Sequence, residues 1–100
     1  MQKFLALPRY PFNRLIIEDA PEHAGVYGLF EGEELIYLGV GHSIRDCLRR
    51  HQDGALGECT MNATRYTWEI TVWPAFRESE ILAGFQQQIG VVPRCQGKAV

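Results

Sequence analysis

Two strand-like runs, Gly25-Val26-Tyr27-Gly28-Leu29-Phe30 and Leu35-Ile36-Tyr37-Leu38-Gly39-Val40, are separated only by Glu31-Gly32-Glu33-Glu34, and this arrangement constrains the fold more than any other feature of the chain. A polar, glycine-containing connector this short folds the two runs back on each other as an antiparallel ribbon. With the turn centred on Gly32, Phe30 pairs with Glu34 and Tyr27 with Tyr37, so that both phenols stand on one face as direct neighbours. A slip of one residue would send them to opposite faces.

The remaining segments supply elements to cover that ribbon. Ser43 is placed to cap a helix over residues 44–51, in which Ile44, Cys47, Leu48 and His51 recur on one face and after which Asp53-Gly54 is a stop. Tyr66, Trp68, Ile70 and Val72 alternate with Arg65, Thr67, Glu69 and Thr71, the pattern of a half-buried strand. Beyond Pro74, a second helix over residues 75–89 carries Glu78, Leu82, Phe85 and Ile89 on one stripe, with Gly90 near its end. Upstream, Pro8, Pro11 and Pro21 interrupt regular structure, and Leu15-Ile16-Ile17 is read as a strand or a docked extended arm. The order strand, strand, helix, strand, helix predicts an α+β fold with a mainly antiparallel, three-stranded sheet flanked by helices. A length of 100 residues with 46% apolar content suits one domain with one core.

Charge and cysteine usage narrow the function classes. Ten basic against twelve acidic residues leave a formal charge of −2, whereas proteins that hold duplex DNA by its phosphates carry a basic surplus. A nucleic-acid role therefore needs a local basic patch. Arg45, Arg49 and Arg50, with Arg65 on the following strand, are the candidates, and a solvated helix face explains the same residues equally well. Trp73 and Phe76, either side of Pro74-Ala75, are candidates for contact with a protein partner or a base. No stretch is apolar for long enough to cross a bilayer, and the apolar part of the first nine residues is too short for a signal peptide. A cytoplasmic location is the expectation. Cys47, Cys59 and Cys95 are odd in number and widely spaced, which predicts reduced thiols.

Gly25-Val26-Tyr27 followed by Tyr37-Leu38-Gly39 resembles the paired signature of the GIY-YIG nucleases. The run Gly39-Val40-Gly41-His42-Ser43-Ile44, followed by Leu48-Arg49-Arg50-His51, resembles that family's passage from second strand to helix. The resemblance covers residues 15–96 and implies one small GIY-YIG-like domain, preceded by an N-terminal arm, 1–14, and followed by a short tail, 97–100. Members hydrolyse DNA phosphodiesters with one divalent metal held by a glutamate of the later helix, while the tyrosines and a helix arginine handle nucleophile and phosphate. In physical terms the metal stabilises charge, the guanidinium forks onto phosphate oxygens, and a phenol or imidazole moves the proton of the attacking water.

Carried over residue by residue, the resemblance makes Tyr27 and Tyr37 the floor of a site and His51 its proton carrier. The helix pattern alone gives His51 a second role, as the residue that closes an apolar stripe. The family's arginine falls on Cys47, which offers no bidentate cation, while Arg45 and Arg49 project from the side of the helix. The family's glutamate falls on Gly84, with Glu80 one turn earlier as a substitute metal ligand, and its closing asparagine on Gln96. The leading expectation is thus a diverged, non-catalytic domain with a degenerate active site that binds nucleic acid or a protein partner without a cofactor. The alternative is an active DNA endonuclease dependent on Mg2+ or Mn2+, using Tyr27, Tyr37, His51 and Glu80. A module unrelated to nucleases is the third reading, and it requires a hairpin register that separates the two tyrosines.

Overall fold

A computed structural model describes residues 4–97, so residues 1–3 of the expected arm and 98–100 of the expected tail lie outside the described residues. The chain runs β1 (Tyr10–Pro11), α1 (Arg14–Ile17), β2 (Gly25–Glu31), β3 (Glu34–Gly41), α2 (Ile44–Gln52), β4 (Arg65–Ile70) and α3 (Pro74–Ile89), with 3-10 turns at Phe4–Ala6 and Cys59–Asn62. This is a small α+β domain whose sheet is antiparallel throughout, in the order β1-β4-β2-β3.

The sheet has four strands, not three. The addition is β1, where Tyr10 pairs with Tyr66 and Pro11 with Arg65. Proline has no N–H for a ladder and is confined to edges, which is where β1 lies. The apolar stretch Leu15-Ile16-Ile17 is a short helix, not a strand. Asn13 sets it off by accepting the Ile16 N–H at 2.9 Å, and Ile17 is buried while Leu15 faces water.

The hairpin turns through Gly32-Glu33, with Gly32 in the left-handed region at φ 61°, where glycine alone is unstrained. Its register differs from the expected one. Phe30 pairs with Leu35, and after an irregularity that leaves Ile36 without an opposite residue, Leu29 pairs with Tyr37 and Tyr27 with Gly39. The displacement of the tyrosine pairing is two residues, and because side chains alternate with period two, both tyrosines keep the same face as diagonal neighbours.

One face of the sheet is covered by α1 and α2 and buries Ile17, Leu29, Ile36, Ile44, Leu48 and Tyr66. The other meets α3 and the N-terminal turn through Phe4, Val26, Leu38 and Ile81, with Phe30, Leu35 and Phe85 beside them. Within α3 the buried residues are Ile81 and Phe85, whereas Ile89, expected on the stripe, is exposed where the helix ends at Gly90. On β4 the expected alternation fails past Trp68. Ile70 and Val72 are exposed, because β4 ends at Ile70 and the neighbouring β2 begins at Gly25 opposite it. Thr67 is buried instead, donating its hydroxyl to the Pro8 carbonyl at 2.8 Å.

The cysteine expectation is also corrected. Cys59 and Cys95 form a disulfide, and Cys47 is a free thiol. The tail reaches Cys59 by docking along β3, where Cys95 N–H donates to the Ile36 carbonyl at 2.8 Å. Gln96 reinforces this by accepting from Leu38 N–H at 3.0 Å and donating to Leu38 O at 2.7 Å.

Candidate functional site

Tyr27 lies on β2, an inner strand of the sheet, and its ring covers Gly39 of β3. A Cβ at position 39 would stand 2.5 Å from the Tyr27 Cζ, so glycine is required for the ring to seat. The Tyr27 hydroxyl meets His51 Nε2 at 2.8 Å, and His51 Nδ1 meets Thr60 Oγ1 at 2.8 Å. Three elements converge here: β2, the last turn of α2, and the 3-10 turn that Cys59 ties to the tail. The Tyr37 ring completes the group, with its centroid 4.9 Å from that of His51 and 6.2 Å from that of Tyr27.

Burial governs the protonation of this group. His51 is 0% exposed and Tyr27 2%. Burial, helped by the positive charge of Arg50, drives the His51 pKa down to about 4, so its imidazole is neutral at physiological pH. A neutral imidazole has one donor and one acceptor nitrogen, and the Tyr27 and Thr60 hydroxyls satisfy both in either tautomer. Burial and, after it, the neighbouring Cys47 push the Tyr27 phenol well above its ordinary value. Burial also raises the Cys47 thiol, and it raises Tyr37, to which the negative charge of Glu78 adds. Two phenols, a thiol and an imidazole therefore sit together without charge.

The arginines expected to contact nucleic acid are largely occupied. Arg45 donates to the Ala20 carbonyl at 2.8 Å and pairs with Glu22 at 3.1 Å, and Arg49 pairs with Glu18 at 2.5 Å and Asp46 at 3.0 Å. Among the described residues Arg9, Arg14, Arg77 and Arg94 are in ion pairs too, leaving Arg50 and Arg65 outside any. Arg50 is the cation nearest in effect to the site, since its charge acts on Tyr27, Cys47 and His51 together.

Glu80 is drawn into an exposed pair with Arg77 at 3.4 Å. The acid that bears on Tyr37 is Glu78, half-buried, raised in pKa by desolvation and outside every ion pair among the described residues. Its sequence signal was a carboxylate inside an otherwise apolar helical stripe. The signal for Arg50 was its place three residues after Cys47, on the same side of α2. Gln96 is committed to the backbone of Leu38.

A divalent ion of the Mg2+ or Mn2+ type keeps most of its waters and takes one or two protein carboxylates, of which Glu78 is the half-buried candidate. Among the described residues no group of three or more His, Cys, Asp or Glu side chains gathers into a protein-only cage. No protein-family model matches the chain, and no curated protein matches it at a significant level of similarity.

Proposed function

We propose that the chain is a diverged GIY-YIG domain that no longer cleaves DNA and acts by binding, with a protein rather than a nucleic acid as its partner. The observation that carries this reading is the enclosure of Tyr27 and His51. A phenol and an imidazole at 2% and 0% exposure, hydrogen-bonded to each other at 2.8 Å, have no path to an attacking water or a phosphate. The side-chain charges favour a protein over DNA. Six of the eight described arginines are ion-paired with acidic side chains, which offsets the positive charge a phosphate backbone would need. Ile70, Val72, Trp73 and Phe76 by contrast expose apolar surface along one connection, the composition that interface cores share.

The test is incubation of supercoiled plasmid and of branched DNA with the protein in Mg2+ and in Mn2+. No cleavage is expected, and no retention of duplex in a gel-shift assay at 150 mM salt. Metal-dependent cutting that disappears in Glu78→Ala would overturn the proposal and establish the second reading.

That second reading is a metal-dependent DNA endonuclease, and one observation favours it: Glu78 and Arg50, both outside ion pairs among the described residues, bear on Tyr37 and on Cys47 respectively. In this case Glu78 would hold the ion, whose chemistry is Lewis-acid stabilisation of the phosphate and activation of water. Arg50 would bind a phosphate oxygen, and Tyr37, the less buried of the two phenols, would orient the attacking water with Tyr27 behind it.

A cytoplasmic location belongs to the proposal as well. Among the described residues no helix is long and apolar enough to cross a membrane. The Cys59–Cys95 bond weighs against this part of the proposal, since disulfides persist mainly in oxidising compartments.

A further inference from the structure

The face that carries the two tyrosines continues across β4 to the sheet edge, where a cavity has different chemistry. Tyr10, Pro11, Ile16, Asp19, Tyr66 and Trp68 line a pocket of about 270 Å³. The rings of Tyr10 and Trp68 are nearly parallel, 15° apart with centroids separated by 6.5 Å, and the Tyr66 ring lies 5.6 Å from that of Tyr10. Three π-systems thus border one space. Its only charged lining residue is Asp19.

That carboxylate is exposed at the pocket mouth and has no cationic partner among the described residues. Its neighbours Glu18 and Glu22 are held by Arg49 and Arg45, whereas Asp19 is in no ion pair among the described residues. Its charge reaches the pocket, since after burial it is the next cause of the rise of the Tyr66 phenol to about 12. A negative charge beside the faces of tyrosine and tryptophan attracts a cation and repels phosphate.

The hydrogen-bonding inventory selects the kind of cation. The Tyr66 hydroxyl already donates to the Ile16 carbonyl at 2.9 Å, and apart from the Asp19 carboxylate and the Tyr10 hydroxyl the lining is rings, proline and isoleucine. A guanidinium would bring five N–H donors in a fixed fork, more than these acceptors on separate elements can meet together, and a primary ammonium would give up its strong hydration for them. A cation with no donors meets no such penalty. We propose that this pocket binds a small quaternary ammonium group, its methyls against Tyr10, Tyr66 and Trp68 and its charge toward Asp19.

The experiment is a fluorescence titration of Trp73→Phe, in which Trp68 is the sole remaining tryptophan; Trp73 is 71% exposed, so the substitution leaves the core intact. Choline chloride is compared with sodium chloride at equal ionic strength and with 3,3-dimethyl-1-butanol, the neutral isostere. A saturable change in Trp68 emission is expected with choline alone, weakened about fivefold in Asp19→Asn. Three results would overturn the proposal: no saturable response to choline, an equal response to the neutral alcohol, or undiminished choline binding in Asp19→Asn. Amide shift mapping on the unaltered chain decides the matter independently, with Tyr10, Asp19 and Trp68 expected to move and shifts confined to other elements counting against the pocket. Phosphocholine separates the sources. Binding tighter than choline supports the pocket with a phosphate-linked headgroup as ligand, and weaker binding supports it with the free cation.

Discussion

Both faces of the sheet bury an apolar cluster, and only one of them adds a fully buried chain of polar side chains. Toward α3 the contacts of Phe4, Val26, Leu38 and Ile81 are hydrocarbon against hydrocarbon. Toward α2 the same strands bury Tyr27, His51 and Thr60, and among the described residues no buried side-chain polar atom lacks a partner. Burial of apolar surface is insensitive to pH and redox state, whereas a buried polar chain stabilises only while every link is made. The hydrocarbon contacts of the α3 face are therefore insensitive to both pH and redox state. The tyrosine face depends on a proton and a disulfide.

The largest expected departure between the faces comes from the disulfide. Cys59 and Cys95 are 36 residues apart, and closing a loop of that size stabilises by about 4 kcal/mol on the chain-entropy account. Its loss also frees the turn that presents Thr60 to His51. Denaturant melts with and without reductant should differ by about this amount, and the oxidised protein should show one alkylatable thiol, Cys47. Three reactive thiols in the native protein would remove this conditional element from the comparison.

Next comes pH. His51 has its folded-state pKa lowered from 6.5 to about 4, so as pH falls the unfolded chain takes up a proton before the folded one does. The stability it contributes is complete above about 6.5 and is lost as pH falls from there toward 4, an effect on the order of 3 kcal/mol. Chemical melts across this window should show the slope. Leu38→Ala, a cavity on the α3 face costing about 3 kcal/mol, should lower the whole curve and leave its shape unchanged. A His51 ring proton that titrates near 6.5 by NMR would abolish the distinction between the faces.

What was legible in the sequence follows the range of the interactions involved. The hairpin, the Ser43 cap and both long helices rest on neighbours a few residues apart, and Ser43 does accept the Asp46 N–H. Of the two-residue register error, one residue came from the turn, which spans Gly32-Glu33 instead of centring on Gly32, and one from the irregularity at Ile36, which leaves no mark in the strand pattern. The fourth strand is two residues long and half proline, below any periodic signal. The disulfide and the clasp of Gln96 on Leu38 join residues 36 and 58 apart, and no local rule joins them. At the site, Tyr27, Tyr37 and His51 do come together. Which acid and which arginine accompany them depends on the ion pairs that claim Glu80, Arg45 and Arg49, and these are tertiary.

The smallest expected effect is the most specific to the tyrosine face. Tyr27→Phe keeps the ring over Gly39 and removes only the hydroxyl, leaving His51 Nε2 buried without a partner, which costs about 1–2 kcal/mol. Tyr37 is only partly buried, so water can replace whatever its hydroxyl loses and Tyr37→Phe should cost less. Equilibrium denaturation of the two variants measures the difference directly. A larger loss at Tyr27 identifies that phenol as part of the folded core's polar chain, in keeping with a site withdrawn from chemistry. Equal, negligible losses accompanied by loss of DNA cleavage in both variants would mean that the Tyr27 hydroxyl is held for a substrate instead, and the tyrosine face would then be conditional because it is catalytic.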